Sequence, residues 1–445
     1  MDTLTAARAQ MEVSLAFHMV FAALGIGMPL LMVLAEGLWI RTGRAHYRDL
    51  ARKWAKATAL TFAVGAVSGT ALSFELGLLW PRFMELAGGA IGPAFALEGY
   101  AFFLEAVFLG LYLYGWERLT PRAHLLTGAA VAASGMLSGV LVVAANAWMQ
   151  NPAGFELAGG RLVDVDPLAP FKSPAWPHMA LHSTLSCYVA TGFAAAGVYA
   201  LGMLRGRRDA YHRAGLTLAL ALGSGAALLQ PVSGDLSAKH VAGHQPAKLA
   251  AFEAHFETTA GAPLTIGGIP DADARTVRGA IRVPGALSFL AHGDFGATVR
   301  GLEEFPRELW PNVVISHLAF QVMVGCGLAL IGLGAWFWLA RWRRRGGEPG
   351  RWLLRALVAG SPLGFLALQA GWIVTEVGRQ PWVVYGVLRT RDGVTPVAEV
   401  PATLFGFSVL YLALGIALAL LLRGLATGAP KVMVATPSVE VAHAR

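Results

Sequence analysis

Long apolar runs alternate with short polar stretches from one end of this chain to the other. A helix that crosses the hydrocarbon core of a bilayer needs about 20 apolar residues. Nine runs reach that length, at roughly 13–40, 54–80, 95–116, 124–148, 178–204, 213–233, 312–340, 352–376 and 401–423. The connections between them follow a rule of their own. Loop 41–53 carries Arg41, Arg44, Arg48, Arg52 and Lys53, loop 205–212 carries Arg205, Arg207 and Arg208, and loop 341–351 carries Arg341, Arg343, Arg344, Arg345 and Arg351. Loops 81–94, 149–177, 234–311 and 377–400 are mixed or slightly acidic. Basic residues collect on the cytoplasmic side of membrane proteins, so the alternation predicts an N-terminus outside and a C-terminus in the cytoplasm. The expected fold class is all-α: a polytopic membrane protein of about nine transmembrane helices. Helices one to six occupy 1–233, an outer segment 234–311, helices seven to nine 312–423, and a disordered cytoplasmic tail 424–445.

Composition sharpens this picture. The chain is 56% hydrophobic and 14% charged, against about 25% charged for a soluble domain. Its 13 Trp and 9 Tyr suit the interfacial belts of a bilayer. The net charge of +8 sits in short loops between apolar spans, which is membrane topology and not a nucleic-acid face. Cys187 and Cys326 stand alone in apolar stretches, with no CxxC or CxxCH, which excludes a thiolate cluster and a covalently attached c-type haem. The first apolar run, Val13–Ile40, is too long for the core of a signal peptide and lacks a basic leader, so no cleaved leader is expected. The chain shows neither a solenoid repeat nor the inverted repeats of transporters.

Residues 234–311 break the rhythm with nearly eighty residues and no spanning run. Connections this long are functional or disordered. The apolar and aromatic strings FEAHF and LSFLAHGDF favour a folded lid over a substrate site.

Several polar residues stand where lipid makes them costly, and such residues are functional candidates. His18 lies about two turns inside the first helix. Glu98 and Glu105 are seven apart, so both face one side of the third helix at about 10 Å separation, an arrangement suited to moving protons. His178 and His182 form an i,i+4 pair that lacks the glutamate of an HExxH zinc motif. Met323 lies in FQVMVGCG, where a methionine is ordinarily packing. Asn146 and Gln150, again i,i+4, read as polar glue between helices. The stretch Gly371–Trp382, GWIVTEVGRQPW, places Glu376 and Arg379 at the end of an apolar helix. Taken together, His18, His182, Met323 and Glu376 are haem-ligand types on four different helices, as haem sites in helical bundles require. A His/Met pair gives a low-spin, electron-transferring haem, and single His or Glu ligation leaves an iron face open to dioxygen. The same residues also fit a quinol-oxidising b-type cytochrome that does not reduce oxygen, or a proton-coupled secondary transporter.

Seven collinear strings now carry a resemblance: ARAQMEVSLAFHMVF, ALEGYAFFLEAVFLGLYLYGW, VAANAWMQNP, LHSTLSCYVATGF, HQPAKLAAFEAHFET, FQVMVGCG and GWIVTEVGRQPW. Across essentially its whole length the chain resembles subunit I of the cytochrome bd quinol oxidases. The resemblance implies His182 and Met323 as axial ligands of a low-spin b558-type haem b. It implies His18 and Glu376 at the oxygen-reducing pair, a high-spin b595-type haem b and a haem d or second high-spin haem b, without deciding which residue takes which haem. Glu98 and Glu105 match acids that line that site and supply protons, and Trp372 and Arg379 match the haem surroundings, where an arginine offsets propionate charge. Lys248 and Glu253 match positions tied to quinol oxidation, Glu253 accepting a proton and Lys248 steadying an oxygen anion.

The implied enzyme is a quinol:oxygen oxidoreductase of the bacterial cytoplasmic (inner) membrane, electrogenic without pumping. It would work with a homologous subunit II and a small single-helix subunit, with quinol, dioxygen and membrane lipid as its other partners and no nucleic acid. Two departures stand out. Gln321 replaces an arginine found in many relatives two residues before the ligating methionine, and the quinol loop has the short form of the cyanide-insensitive branch.

Overall fold

A computed structural model describes residues 2–427. Of the tail expected at 424–445, residues 424–427 continue the last helix and 428–445 lie outside the described residues. Among the described residues, nine helices are long and apolar enough to cross a membrane. The chain begins with α1 (Thr3–Thr42), α2 (Ala45–Leu79), α3 (Pro81–Tyr114) and α4 (Pro121–Gln150). A hairpin of β1 (Glu156–Ala158) and β2 (Arg161–Val163) and a short α5 (Ala169–Lys172) lead to α6 (Trp176–Leu204) and α7 (Ala210–His244). The caps explain several starts. Asp2, Thr120, Asp209 and Asn312 each accept a hydrogen bond from a backbone N–H three residues on, filling donors that a helix start leaves open.

α7 runs eleven residues beyond the apolar run that ended at 233. Its last turns are polar, and the i,i+4 pair Lys239–Asp235 at 2.7 Å shows helical spacing continuing after hydrophobicity stops. Pro246 then opens the short α8 (Pro246–Glu253).

The segment after α8, expected on the outer side, is folded. β3 (Thr259–Ala260) pairs with β8 (Thr298–Val299), β4 (Leu264–Ile266) with β7 (Ile281–Val283), and β5 (Ile269–Asp271) with β6 (Thr276–Arg278). The three antiparallel pairs nest one inside the next, and α9 (Ala286–His292) closes the unit.

The chain re-enters the bundle through α10 (Val313–Arg343). The eighth span, expected as one helix, is two: α11 (Arg351–Gly360) and α12 (Leu363–Val377). Pro362 at the joint cannot donate to the helical ladder. Ser361 sits where a Cβ on Gly197 of α6 would lie 2.3 Å from the serine Cβ, so the break is packed against that glycine. A two-stranded turn of β9 (Trp382–Val384) and β10 (Leu388–Arg389) and the short α13 (Thr390–Gly393) precede α14 (Val400–Thr427).

Two large apolar clusters lie within the bundle. One lies in the half remote from the outer segment, around Trp54, Tyr112, Phe193, Leu216 and Leu220. The other lies in the segment-bearing half, around Leu79, Trp80, Phe83, Trp148 and Val384. α6 and α7 approach closely where Gly192 meets Gly223: a Cβ at Gly192 would lie 2.5 Å from the Gly223 backbone. Small residues at such crossings allow the polar side chains of both helices to meet, and this crossing carries one part of the site.

Candidate functional site

Two histidines are held in the same way. His18 on α1 has its Nδ1 3.0 Å from Ser68 Oγ of α2, and that hydroxyl donates to the Gly65 carbonyl. His182 on α6 has its Nδ1 2.9 Å from Ser233 Oγ of α7, whose hydroxyl donates to the Gln230 carbonyl. A serine has one proton to give. With that proton spent on a carbonyl, each serine can only accept, so each histidine carries its hydrogen on Nδ1 and presents a bare Nε2. That is the tautomer a metal-ligating histidine needs, with its other nitrogen fixed by a partner. The Gln230 amide donates to His182 Nε2 at 3.2 Å and to the His182 carbonyl at 3.1 Å.

The neighbours of these side chains are small. A Cβ on Gly69 would lie 2.9 Å from His18 Cε1, and one on Gly371 of α12 would lie 3.1 Å from Met323 Sδ. Met323 is thus set at the α10–α12 contact where no opposing side chain stands. Trp372, partly buried, packs against the cluster of Ala23, Ile26, Cys187 and Leu368.

Glu98 and Glu105 both face α4, as their spacing predicts. Ser138 donates to Glu98 Oε1 at 3.3 Å, and the Glu105 carboxyl lies against Gly135 of the same helix, with its Oε1 buried and unpartnered.

The most extended feature is a chain of hydrogen bonds that no single motif announced. Lys248 Nζ donates to Gln150 Oε1 at 3.1 Å, Gln150 Nε2 to Asn146 Oδ1 at 3.4 Å, and Asn146 Nδ2 to Glu376 Oε1 at 2.7 Å. Arg379 donates to the other Glu376 oxygen. Gln245 adds a 2.7 Å bond to the Gln150 carbonyl, and Lys248 Nζ a 3.0 Å bond to the Thr375 carbonyl. Asn146 and Gln150 therefore do more than glue helices: they join the start of α8 to the end of α12.

Lys248 and Glu253 lie outside the spanning helices and are both buried. Burial, reinforced by the charge of Arg379 and opposed by that of Glu376, pulls the Lys248 ammonium down to about 7. Burial alone pushes Glu253 up to about 8, and its Oε2 has no partner. Both groups are thereby brought near neutrality, where proton exchange is easiest.

The chain matches the family described as cytochrome bd terminal oxidase subunit I over residues 6–430. It belongs to that family. It is 38% identical over 421 residues to the putative cytochrome bd menaquinol oxidase subunit I of Bacillus subtilis (strain 168), covering 94% of this chain and 95% of the relative. It is 33% identical over 437 residues to the cytochrome bd ubiquinol oxidase subunit 1 of the same organism, covering 93% and 92%. Its fold is similar to that in the structure of bd oxidase from Geobacillus thermodenitrificans, with a TM-score of 0.91 and 39% identity over 96% of this chain and 99% of that one. The protein is thus a multi-pass membrane subunit of a terminal quinol oxidase, from a haem-dependent family. Neither a cytochrome that stops short of oxygen nor a transporter is favoured.

The residues of this bd-type subunit fit haem on their own chemistry. The Nε2 atoms of His18 and His182, the second in contact with the Gln230 amide, and the Met323 sulfur are neutral donors of the kinds that ligate haem iron. Arg379, 3% exposed, keeps Nε and Nη1 buried without partners, and a buried guanidinium of this kind suits the carboxylates that haem carries.

The sequence offered the ligand candidates but not the partners of the two histidines, Ser68, Ser233 and Gln230, nor Gln245 and the Thr375 carbonyl, which hold Gln150 and Lys248. Nor did it show the company of His178. That ring bonds Ser237 Oγ at 3.0 Å and lies 4.6 Å, centroid to centroid, from His240, which stacks on His244 at 4.0 Å. The i,i+4 spacing of His240 and His244 was the available signal.

Proposed function

We propose that the segment-bearing end of the bundle faces the outside of the bacterial inner membrane and oxidises quinol, while dioxygen is reduced to water with protons drawn from the cytoplasm. In this reading His182 and Met323 hold a low-spin haem b from α6 and α10, and His18 and Glu376 hold the two haems of the oxygen site. Haem supplies the one-electron carriage and the iron face that dioxygen needs. The rest is the work of this chain. Glu253 accepts a proton from the quinol, and Lys248 steadies the oxygen it leaves. Glu98 and Glu105 hold protons for the oxygen site. Arg379, paired with Glu376, would offset the propionate charge of haem held there. Proton release outside and uptake inside would make the reaction electrogenic without a pump. A homologous subunit II completes the enzyme, with a small single-helix subunit beside it.

The observation that carries this reading is the continuous chain Lys248–Gln150–Asn146–Glu376–Arg379. It ties the two residues matched to quinol chemistry, through α8, to the acid matched to the oxygen site. Visible spectra of purified membranes test the reading. An oxidase shows low-spin b bands together with high-spin haem that shifts with carbon monoxide. An electron-transfer subunit shows only the former, and a transporter shows neither.

A further inference from the structure

His317 of α10 is completely buried. Its Nδ1 lies 2.9 Å from the carbonyl oxygen of Phe252, and its Nε2 lies 3.0 Å from the carbonyl oxygen of Gly267. A carbonyl oxygen only accepts, and a neutral imidazole has a single N–H. With one nitrogen bare, a lone pair would face a carbonyl lone pair at 3 Å in a dry site. Satisfying both carbonyls takes two N–H donors, which a doubly protonated ring would supply.

The two carbonyls belong to the two parts of the outer segment that matter. Phe252 is the penultimate residue of α8, between Lys248 and Glu253. The last carbonyls of a helix lack partners in the helix. Here those of Ala250 and Ala251 take the N–H groups of Ala254 and His255, while that of Phe252 takes His317. A cation at a helix C-terminus is also favoured by the helix dipole. Gly267 lies in the left-handed turn between β4 and β5, with φ +66°. One turn along α10, Gln321 accepts from the Gly267 N–H at 2.9 Å and donates to the Thr265 carbonyl at 3.1 Å. The Gly267 peptide unit region is thus gripped on its N–H by Gln321 and on its carbonyl by His317. Phe252 and Phe320 add a ring contact at 4.6 Å. Two residues after Gln321 comes Met323.

We infer that His317 is a positioning residue for quinol oxidation: a charged staple that fixes the Glu253 end of α8 and the β4–β5 turn to the helix that carries Met323. Substrate groups and haem ligand then ride on one rigid piece of α10. The inference rests on the reading of Glu253 as proton acceptor and Met323 as ligand.

Its test uses the assembled oxidase in membranes. His317→Met keeps the bulk and removes both donors, and His317→Gln restores one. A hydrogen bond to a charged group is worth roughly a factor of ten or more. His317→Met is therefore expected to raise the KM for quinol about tenfold or more, with a much smaller change in kcat, and His317→Gln to recover part of the loss. The low-spin haem band should keep its intensity, showing that the bundle has folded. Trypsin should cut faster at the exposed Arg275 and Arg278 of the β5–β6 hairpin. Nitrogen-15 spectra of histidine-labelled enzyme should show a ring protonated on both nitrogens that disappears in His317→Gln. Gln321→Ala, which cuts only the turn, should move KM in the same direction by less. An unchanged KM in His317→Met, or a signal for this ring with one bare nitrogen, overturns the inference. A wild-type enzyme that fails to oxidise quinol overturns instead the reading on which it rests.

Discussion

Lys248 Nζ donates a 3.0 Å hydrogen bond to the backbone carbonyl of Thr375, the residue before Glu376. Through this bond and its partner to Gln150, a lysine of α8 is fixed to the end of α12. The buried ammonium is held by two acceptors, and the Arg379 and Glu376 charges act on it in opposite senses. Lys248 on α8 and the acid on α12 therefore share an electrostatic environment.

That environment predicts a bell-shaped pH dependence of kcat/KM for quinol. Glu253, pushed up to about 8, gains its proton-accepting form as pH rises through that value. Lys248, pulled down to about 7, loses its charged form as pH rises past 7. Requiring the carboxylate and the ammonium together gives a maximum between the two values. Glu253→Gln should remove the rising limb and leave a rate that only falls with pH. Lys248→Met should leave only the rise. A flat profile in the wild-type enzyme would contradict both roles.

The serine partner of His182 is expected to matter almost as much as the ligand. His182→Ala should abolish the low-spin haem band while the protein remains in the membrane. Ser233→Ala frees Nδ1, and loss of such a partner typically costs roughly 10–100-fold in metal affinity or activity. Haem extraction and reduced-minus-oxidised spectra measure both. Survival of the low-spin band in His182→Ala would show that another residue is the ligand.

Asn146→Leu should disconnect the two sites. It removes the 2.7 Å donor to Glu376 and leaves Gln150 without its acceptor on α4. The carbon monoxide difference spectrum of the high-spin haem is expected to change, with oxidase activity falling by about tenfold or more, the worth of a charge-assisted hydrogen bond in a dry site. Full activity with an unaltered spectrum would mean that the hydrogen-bond chain has no part in the reaction.

A single methyl group at Gly69 is expected to disturb His18. The added Cβ would stand 2.9 Å from Cε1 of a ring whose Nδ1 is already tied to Ser68. The ring must tilt, or the helices must part. In Gly69→Ala the haem bound by His18 should be lost or spectrally shifted, and the low-spin band of the His182 site should stay. Equal loss of both bands would point to general unfolding.

How much of this could be read from the sequence differs from element to element. The nine spans and the acid pair Glu98 and Glu105 were legible because lipid makes apolar length and intramembrane charge stand out. The extension of α7 to His244 was not, since its last turns are polar and hydropathy carries no sign of a helix that leaves the membrane. The break at Pro362 carried its signal in a proline, yet the apolar run around it masked the joint. His317 gave no warning, and Gln321 stood out only as a missing arginine, because their partners are backbone carbonyls and an N–H fifty or more residues away.

By itself, the sequence determined that this protein crosses a membrane, which side chains are ionisable where charge is costly, and, through seven collinear strings, the family. These properties depend on residue type and order. Only the tertiary structure decided which nitrogen of His18 and His182 is bare, that Lys248 and Glu376 are joined through Gln150 and Asn146, and that His317 holds two carbonyls at once. Those facts depend on helices and loops distant along the chain meeting within about 3 Å, the distance over which a hydrogen bond acts.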